Sequence, residues 1–127
     1  KGHQMANVII DNGLNNVSEV WGSEVSLYYP ELYAGTTDLV GVYKGDPAIM
    51  DFKQARKLKK KEWVEDYYLQ LVAYAEAHNK QCDTQIKNGR IFICTQANEY
   101  QTFEIDNYDY WVGKWYAKLE QYYKSIL

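Results

Sequence analysis

The chain has 127 residues, of which 46% are hydrophobic and 24% are charged, and its formal net charge is −3. This length and composition are typical of one folded domain and argue against intrinsic disorder. No apolar run approaches the roughly 18 residues of a membrane-spanning helix. The net charge also argues against a protein that is basic throughout, yet residues 53–61 (KQARKLKKK) carry six of the fourteen basic side chains and no acidic one. Positive charge is therefore concentrated in one segment.

The chain contains two cysteines, Cys82 and Cys94. Two cysteines are too few for a disulfide framework or for a four-cysteine zinc or iron–sulfur site. We therefore expect two reduced thiols in an intracellular protein. We interpret residues 1–127 as one domain; because the chain begins with Lys1 instead of Met, the sequence leaves open whether its natural N-terminus is included.

Hydrophobic periodicity predicts a helix followed by three strands in the first half of the chain. Residues 3–14 place apolar side chains on one helical face. Residues 24–29 (EVSLYY) alternate as a strand does, and residues 33–43 are rich in Thr, Val and Tyr. After a turn at residues 44–47 (KGDP), residues 48–53 (AIMDFK) are almost continuously apolar, which predicts a buried strand.

The second half of the chain predicts a helix, one or two strands and a closing helix. Apolar residues recur every three or four positions from residue 63 to residue 79, and again over residues 107–126. Residues 91–95 (IFICT) predict a buried strand, and residues 100–105 are a candidate partner for it. This order predicts an α/β fold, of the mixed-sheet α+β kind, with helices packed against the sheet.

Several aromatic side chains on the predicted helices have two possible roles. Trp111 and Trp115 lie on the apolar stripe of the last helix, where we expect core packing; a platform for stacking bases is the alternative. Tyr67 and Tyr68 are adjacent on a helix, so both cannot face the core, and one of them could stack on an unpaired base.

Asp38, Asp51 and Lys53 form the most informative pattern for chemistry. Asp51 and Lys53 lie two residues apart on one strand and share a face, and a hairpin would bring Asp38 beside them. Two close carboxylates repel each other unless a cation lies between them, and Mg²⁺ prefers such oxygen ligands. With a lysine to orient water or offset negative charge, such a site suits phosphodiester hydrolysis. A structural ion pair is the alternative, although charges on an otherwise apolar strand favour a functional role.

Three motifs follow one another in a specific order. They are G-x-x-D ending at Asp38, D-x-K from Asp51 to Lys53, and Q-x-x-x-Y from Gln70 to Tyr74. This arrangement resembles the PD-(D/E)XK nuclease superfamily and, within it, the RecB-like nucleases. The resemblance covers roughly residues 20–124 and is greatest to the mitochondrial genome maintenance exonuclease and its phage relatives. It implies a restriction-endonuclease-like core.

The resemblance also implies roles for individual residues. Asp38, Asp51 and the backbone carbonyl of Phe52 would bind Mg²⁺ or Mn²⁺, and Lys53 would be the catalytic lysine. Further metal ligands would be His3 on the first helix and Glu24 on the first strand; an exposed N-terminal histidine is the alternative for His3. Thr37 stands where the family name has Pro. The residues expected to contact DNA are Gln70, Tyr74, Arg56, Lys57, Lys59 and Lys60.

The resemblance implies a metal-dependent deoxyribonuclease that trims single-stranded DNA ends in replication, recombination or repair. The expected partner is DNA that is single-stranded or has free ends, and no membrane partner is expected. The expected location is cytoplasmic or otherwise intracellular, in a microbial or phage-infected cell. Two alternatives stay open: a structure-selective or site-specific endonuclease of the same fold, and a nucleic-acid-binding module without activity. The sequence leaves the polarity of digestion, the choice between DNA and RNA and the oligomeric state open.

Overall fold

The structure is a computed structural model that describes residues 14–30, 32–57 and 64–126. In these residues a five-stranded mixed sheet packs against two α-helices. The strands are β1 (Val17–Tyr29), β2 (Tyr33–Tyr43), β3 (Asp46–Ala55), β4 (Gly89–Thr95) and β5 (Tyr100–Glu104). The helices are α1 (Glu65–Cys82) and α2 (Tyr108–Ile126). The α/β class and the mixed sheet predicted from the sequence are confirmed.

The strands lie side by side in chain order, from β1 to β5. All neighbouring pairs are antiparallel except β3 and β4, which run parallel. A parallel pair needs a crossover connection, and here α1 supplies it. The candidate strand at residues 100–105 does pair with β4, as the register from Cys94–Tyr100 to Arg90–Glu104 shows.

The first strand is longer than predicted, because it begins at Val17 and not near residue 24. Most of its side chains are exposed, so this edge strand lacks the alternation of polar and apolar residues by which strands are recognised. Its pairing with β2 also contains register shifts near Glu19 and Gly22. At one of them the Glu19 carbonyl approaches Gly41 so closely that a Cβ there would lie 2.2 Å from the oxygen.

The predicted turn between β2 and β3 is a two-residue hairpin turn. Lys44 and Gly45 both have positive φ angles, 48° and 88°, and Tyr43 pairs with Asp46 across the turn. Positive φ at both central residues is the geometry of a type I′ turn, which matches the twist of the flanking strands. This turn sets the register of β2 on β3 and therefore decides which of their residues lie opposite each other.

The two faces of the sheet carry separate apolar clusters. One cluster combines Val40, Ile49 and Ile91 with the buried side of α1, and Trp111 and Trp115 from α2 pack against it. Both tryptophans therefore pack against the core, as expected, and each stays partly exposed. The other cluster lies on the opposite face and is built from Leu39, Tyr43, Ala48, Met50, Phe92 and Cys94.

Two helix predictions differ from the structure or lie outside it. The helix α1 extends to Cys82, past the predicted end near residue 79, and ends where Asp83 adopts a left-handed conformation (φ 57°). The helix predicted for residues 3–14 lies outside the described residues except for Leu14, which opens a short 3₁₀ turn. Neither described helix is both long enough and apolar enough to cross a membrane. Cys82 and Cys94 are both free.

Candidate active site

Asp38 and Asp51 lie opposite each other at the point where the backbone pairing of β2 and β3 ends. The ladder runs from the hairpin turn to the pair Leu39–Met50, and the two aspartates come next in the same register. The N–H of Asp38 donates to Oδ1 of Asp51 at 3.2 Å, and the N–H of Phe52 donates to Oδ2 of Asp38 at 2.9 Å. Each carboxylate therefore accepts a hydrogen bond from the backbone of the opposite strand.

Both carboxylates are on the face of the sheet that α1 covers. Strand side chains alternate between faces, so Asp38 shares a face with Val40, and Asp51 shares a face with Ile49. Val40 and Ile49 belong to the core cluster beneath α1. The hairpin thus gathers two acidic groups on one face, as the sequence predicted.

Asp51 is the more buried of the two, with 4% of its surface exposed. Burial raises the pKa of its carboxyl, and the neighbouring charge of Asp38 acts in the same direction, while the N–H of Asp38 and the charge of Lys53 act against it. The hydroxyl of Thr37 also donates to Oδ1 of Asp51 at 3.1 Å. The described residues supply no hydrogen bond to the second oxygen, Oδ2, of Asp51 or to Oδ1 of Asp38.

Lys53 reaches from the same strand to α1, which confirms that it shares a face with Asp51. Its Nζ donates to Oε1 of Gln70 at 3.3 Å and lies 5.1 Å from the centre of the Tyr67 ring. The amide nitrogen of Gln70 in turn donates to the hydroxyl of Tyr74 at 3.1 Å. The Q-x-x-x-Y motif therefore connects the lysine to the helix through a neutral amide and an aromatic face, and holds the ammonium by favourable contacts on two sides.

Gly35 allows Tyr74 to approach β2. A Cβ at this position would lie 2.7 Å from Cε1 of Tyr74 and 3.0 Å from its hydroxyl oxygen, both closer than ordinary contact. Burial raises the pKa of the Tyr74 hydroxyl, so it stays protonated at neutral pH and can donate as well as accept hydrogen bonds. The glycine of the G-x-x-D motif thus has a steric role next to the carboxylates.

Two further metal ligands, Glu24 and His3, were predicted from the sequence. Glu24 is exposed on β1 with a φ of 49°, between Ser23 and Val25, whose partners on β2 flank Asp38. The described residues contain no group of three Asp, Glu, His or Cys side chains that could hold an ion together, so Glu24 does not complete such a group with the two aspartates. His3 lies outside the described residues. The ligand roles of Glu24 and His3 stay predictions.

The basic segment is described only in part. Arg56 and Lys57 follow β3 directly and are exposed. Lys59 and Lys60 lie outside the described residues. Phe52 is half-buried, and its N–H faces Asp38; since the N–H and C=O of a strand residue point to the same side, its carbonyl faces the same gap.

Two residues of the site were not assigned there from the sequence. Thr37 is fully buried and binds Asp51; a hydroxyl next to the first aspartate on a predicted strand was the available signal. Tyr67 places its ring under Lys53, while Tyr68 is buried in the core. The spacing of three between Tyr67 and Gln70 on one helix face could have indicated this contact.

Comparisons with known proteins give a fold but no family. No protein-family model matches the chain, and no curated protein matches it. A crystal structure of a candidate exonuclease from Eubacterium rectale is similar with a TM-score of 0.67 and 14% identity, over 98% of this chain and 50% of that one. An alkaline exonuclease from Laribacter hongkongensis gives a TM-score of 0.42 and 13% identity, over 98% of this chain and 67% of that one.

The first of these likenesses shows that the chain has the fold of the Eubacterium rectale protein, and the second is too weak to carry an argument. The chain spans about half the length of that first neighbour. The comparison therefore supports the predicted fold, whereas the RecB-like branch and the mitochondrial relative expected from the motifs stay predictions.

Proposed function

We propose that this chain is a metal-dependent deoxyribonuclease that hydrolyses phosphodiester bonds at the Asp38–Asp51–Lys53 site. The observation that carries the proposal lies at the end of the β2–β3 ladder, where Asp38 and Asp51 are opposite each other. Each carboxylate keeps one oxygen that accepts no hydrogen bond from the described residues. Lys53 lies on the same face of the sheet. A purely structural ion pair would join the lysine to a carboxylate, but here the lysine donates to an amide.

The donor set fits a hard divalent cation such as Mg²⁺ or Mn²⁺. The groups that would hold it are the carboxylates of Asp38 and Asp51 and the carbonyl of Phe52, all of them oxygen ligands. A buried carboxylate beside a second carboxylate is unfavourable when ionised, and a bound cation would relieve both causes of the raised Asp51 pKa. Such an ion would supply charge stabilisation for a phosphoryl oxygen and a more acidic water.

Lys53 would act on the phosphate or on the attacking water. An ammonium group has three N–H donors, and Gln70 accepts only one of them. The remaining donors can stabilise negative charge that grows on the phosphoryl oxygens during attack. Gln70 and Tyr67 hold the ammonium in place, so they are positioning residues for this step.

DNA as the substrate and exonuclease action at single-stranded ends extend the proposal further. They are supported by the motif resemblance and by the name of the structural neighbour, a candidate exonuclease. The exposed Arg56 and Lys57 at the end of β3 add positive charge beside the site. Binding through such side chains would weaken as salt concentration rises, because counterions are released from the phosphate backbone.

A cleavage assay on a labelled single-stranded oligonucleotide tests the proposal. We expect cleavage with Mg²⁺ or Mn²⁺, none with a chelator, and a loss of at least ~10³-fold in Asp51→Asn, the scale of removing a major charge-stabilising group. Asp46→Asn is the matched control, because it changes an exposed aspartate on the same strand. Activity in the chelator or in Asp51→Asn would contradict the proposal.

A circular single-stranded substrate distinguishes the two modes of cleavage. An exonuclease leaves the circle intact, whereas cutting of the circle would identify the endonuclease alternative. Binding of DNA without cleavage of any substrate would identify the non-catalytic module.

A further inference from the structure

A cavity of about 240 Å³ lies beside the site, between the two helices and the start of β2. One wall is the face of α1 that carries Asp66 and Gln70, and the opposite wall is formed by Trp115 of α2. Tyr33 of β2 closes one side. The catalytic groups proposed above do not occupy this space.

The cavity and the proposed active site share two side chains. Gln70 and Tyr74 line the cavity, and the same Gln70 amide accepts the hydrogen bond from Lys53. Tyr74 lies against Gly35, three residues before Asp38. The cavity and the carboxylates therefore lie on the same face of the sheet, with the side chains of Gln70 and Tyr74 between them.

The walls of the cavity are flat and held in place. The rings of Tyr33 and Trp115 meet nearly at a right angle (88°), with their centroids 5.1 Å apart. The hydroxyl of Tyr33 donates to the carbonyl of Ala73 on α1 at 2.8 Å, which fixes this ring against the helix. Ordered aromatic faces of this kind stack on flat ring systems with little loss of side-chain freedom.

The edges of the cavity carry hydrogen-bonding groups of both kinds. Asp66 supplies an acceptor, Lys118 supplies donors, and the amide of Gln70 can both donate and accept a hydrogen bond. Asp66 and Lys118 are exposed and lie 3.7 Å apart, so their mutual attraction is weak and both are available to a ligand. The volume is below the roughly 300–1,000 Å³ typical of pockets for drug-sized molecules, which suits a single ring system.

We infer that this cavity binds the nucleobase of an unpaired nucleotide that adjoins the phosphodiester bond at the Asp38–Asp51 site. The inference rests on the proposed function for its substrate class and adds to it a reason for choosing single strands. A base held in a duplex cannot enter a side cavity unless it leaves the stack. Stacking on Trp115 would accept every base, because each has a π-face.

Binding of fluorescent single-stranded oligonucleotides, measured in a chelator, tests the inference without catalysis. Each oligonucleotide has one abasic nucleotide, placed at successive positions from either end. For the unchanged chain we expect one position at which the loss of the base weakens binding by about tenfold, the effect of losing one base–aromatic stack. Trp115→Leu should bind the intact oligonucleotide about tenfold more weakly and should not distinguish it from the abasic one.

Trp111→Leu is the matched control. Trp111 lies one turn earlier on α2 and packs against the same core cluster, but it does not line the cavity. This variant should still bind the intact oligonucleotide more tightly than the abasic one, as the unchanged chain does. Thermal unfolding of both variants reports any general loss of structure. Discrimination that persists in Trp115→Leu, or its absence at every position in the unchanged chain, would overturn the inference.

A second arm with Mg²⁺ separates this inference from the proposed function. If the chain discriminates in binding but cleaves no substrate, the proposed function fails and the nucleobase site stands. If it cleaves single strands but shows no discrimination, the nucleobase site fails and the proposed function stands.

Discussion

Glu76 on α1 and the pair Asp38 and Asp51 on the sheet beneath it differ in how their carboxylate oxygens are satisfied. Glu76 of α1 accepts a hydrogen bond from the hydroxyl of Tyr108 on Oε2 at 2.7 Å and from that of Tyr116 on Oε1 at 3.1 Å. Both donors come from α2, and burial raises the pKa of both hydroxyls. Glu76 is thus satisfied by neutral groups and joins the two helices.

Asp38 and Asp51, on the strands that α1 covers, are in a different state. Each has one oxygen bound by the backbone and one without a donor from the described residues. Burial alone therefore does not mark a functional carboxylate in this fold. The useful distinction is whether the surrounding protein completes the hydrogen bonds of the carboxylate or leaves them for a ligand.

The largest expected effect concerns Lys53, which lies on the same face of the sheet as Asp38 and Asp51. Lys53→Met keeps the aliphatic stem and removes the ammonium, so we expect cleavage to fall by about 10²–10⁴-fold, with little change in stability. Lys124→Met, at an exposed position on α2, should retain full activity. Rates of oligonucleotide cleavage measure the difference, and an active Lys53→Met would remove the lysine from the mechanism.

The next largest effect concerns Glu76, whose two carboxylate oxygens both accept hydrogen bonds. Glu76→Leu leaves the hydroxyls of Tyr108 and Tyr116 without their acceptor, and we expect it to lower the free energy of unfolding by roughly 2–4 kcal/mol. Glu120→Leu removes a carboxylate whose ion pair in the described part of the chain is an exposed one with Lys124, so a change below about 0.5 kcal/mol is expected. Urea unfolding compares the two variants. Equal stability would show that the tyrosine contacts contribute nothing to helix packing.

The smallest effect is a gain in stability in Asp51→Asn. Because burial raises the pKa of Asp51 in the folded chain, the stability linked to this group is present at low pH and is lost as pH rises through the folded-state pKa. The neutral amide avoids that loss. At neutral pH without divalent ions, Asp51→Asn should therefore be more stable by on the order of 1 kcal/mol, a usual size for one substitution.

Thermal unfolding across a pH series checks the sign of this effect. The advantage of Asp51→Asn should shrink as pH falls and the aspartate of the unchanged chain becomes protonated. Added Mg²⁺ should stabilise the unchanged chain more than the variant, because an ion that binds only the folded state shifts the equilibrium towards it. An advantage that grows at low pH would contradict the assigned direction of the pKa shift.

The fold could be predicted from the sequence wherever one face of an element is buried. The strand around Met50, the helix carrying Leu71 and the helix carrying Trp115 have clear apolar patterns and were located correctly. The start of β1 could not be found, because residues near Val20 and Trp21 are exposed and carry no alternation. The partner of β4 was only a candidate, since the half-buried side chains of β5 give a weak pattern.

The site was predictable as a set of side chains but not as a set of hydrogen bonds. Spacing along a strand places Asp51 and Lys53 on one face, and the hairpin turn supplies Asp38. The contacts of Thr37 and Tyr67 depend on how α1 crosses the sheet, which no local pattern records. Asp66 of the cavity was also missed, although it lies one turn before Gln70 on the same helix face.

The separation of β2 from β3 has a consequence for ligand binding. Because the N–H groups of Asp38 and Phe52 hold the two carboxylates, their rotamers are fixed when the hairpin forms. Under the proposed function, a cation would meet two carboxylates already arranged, and little conformational entropy would remain to be lost on association. The backbone contacts that finish the hairpin would then also orient the oxygen ligands of that cation.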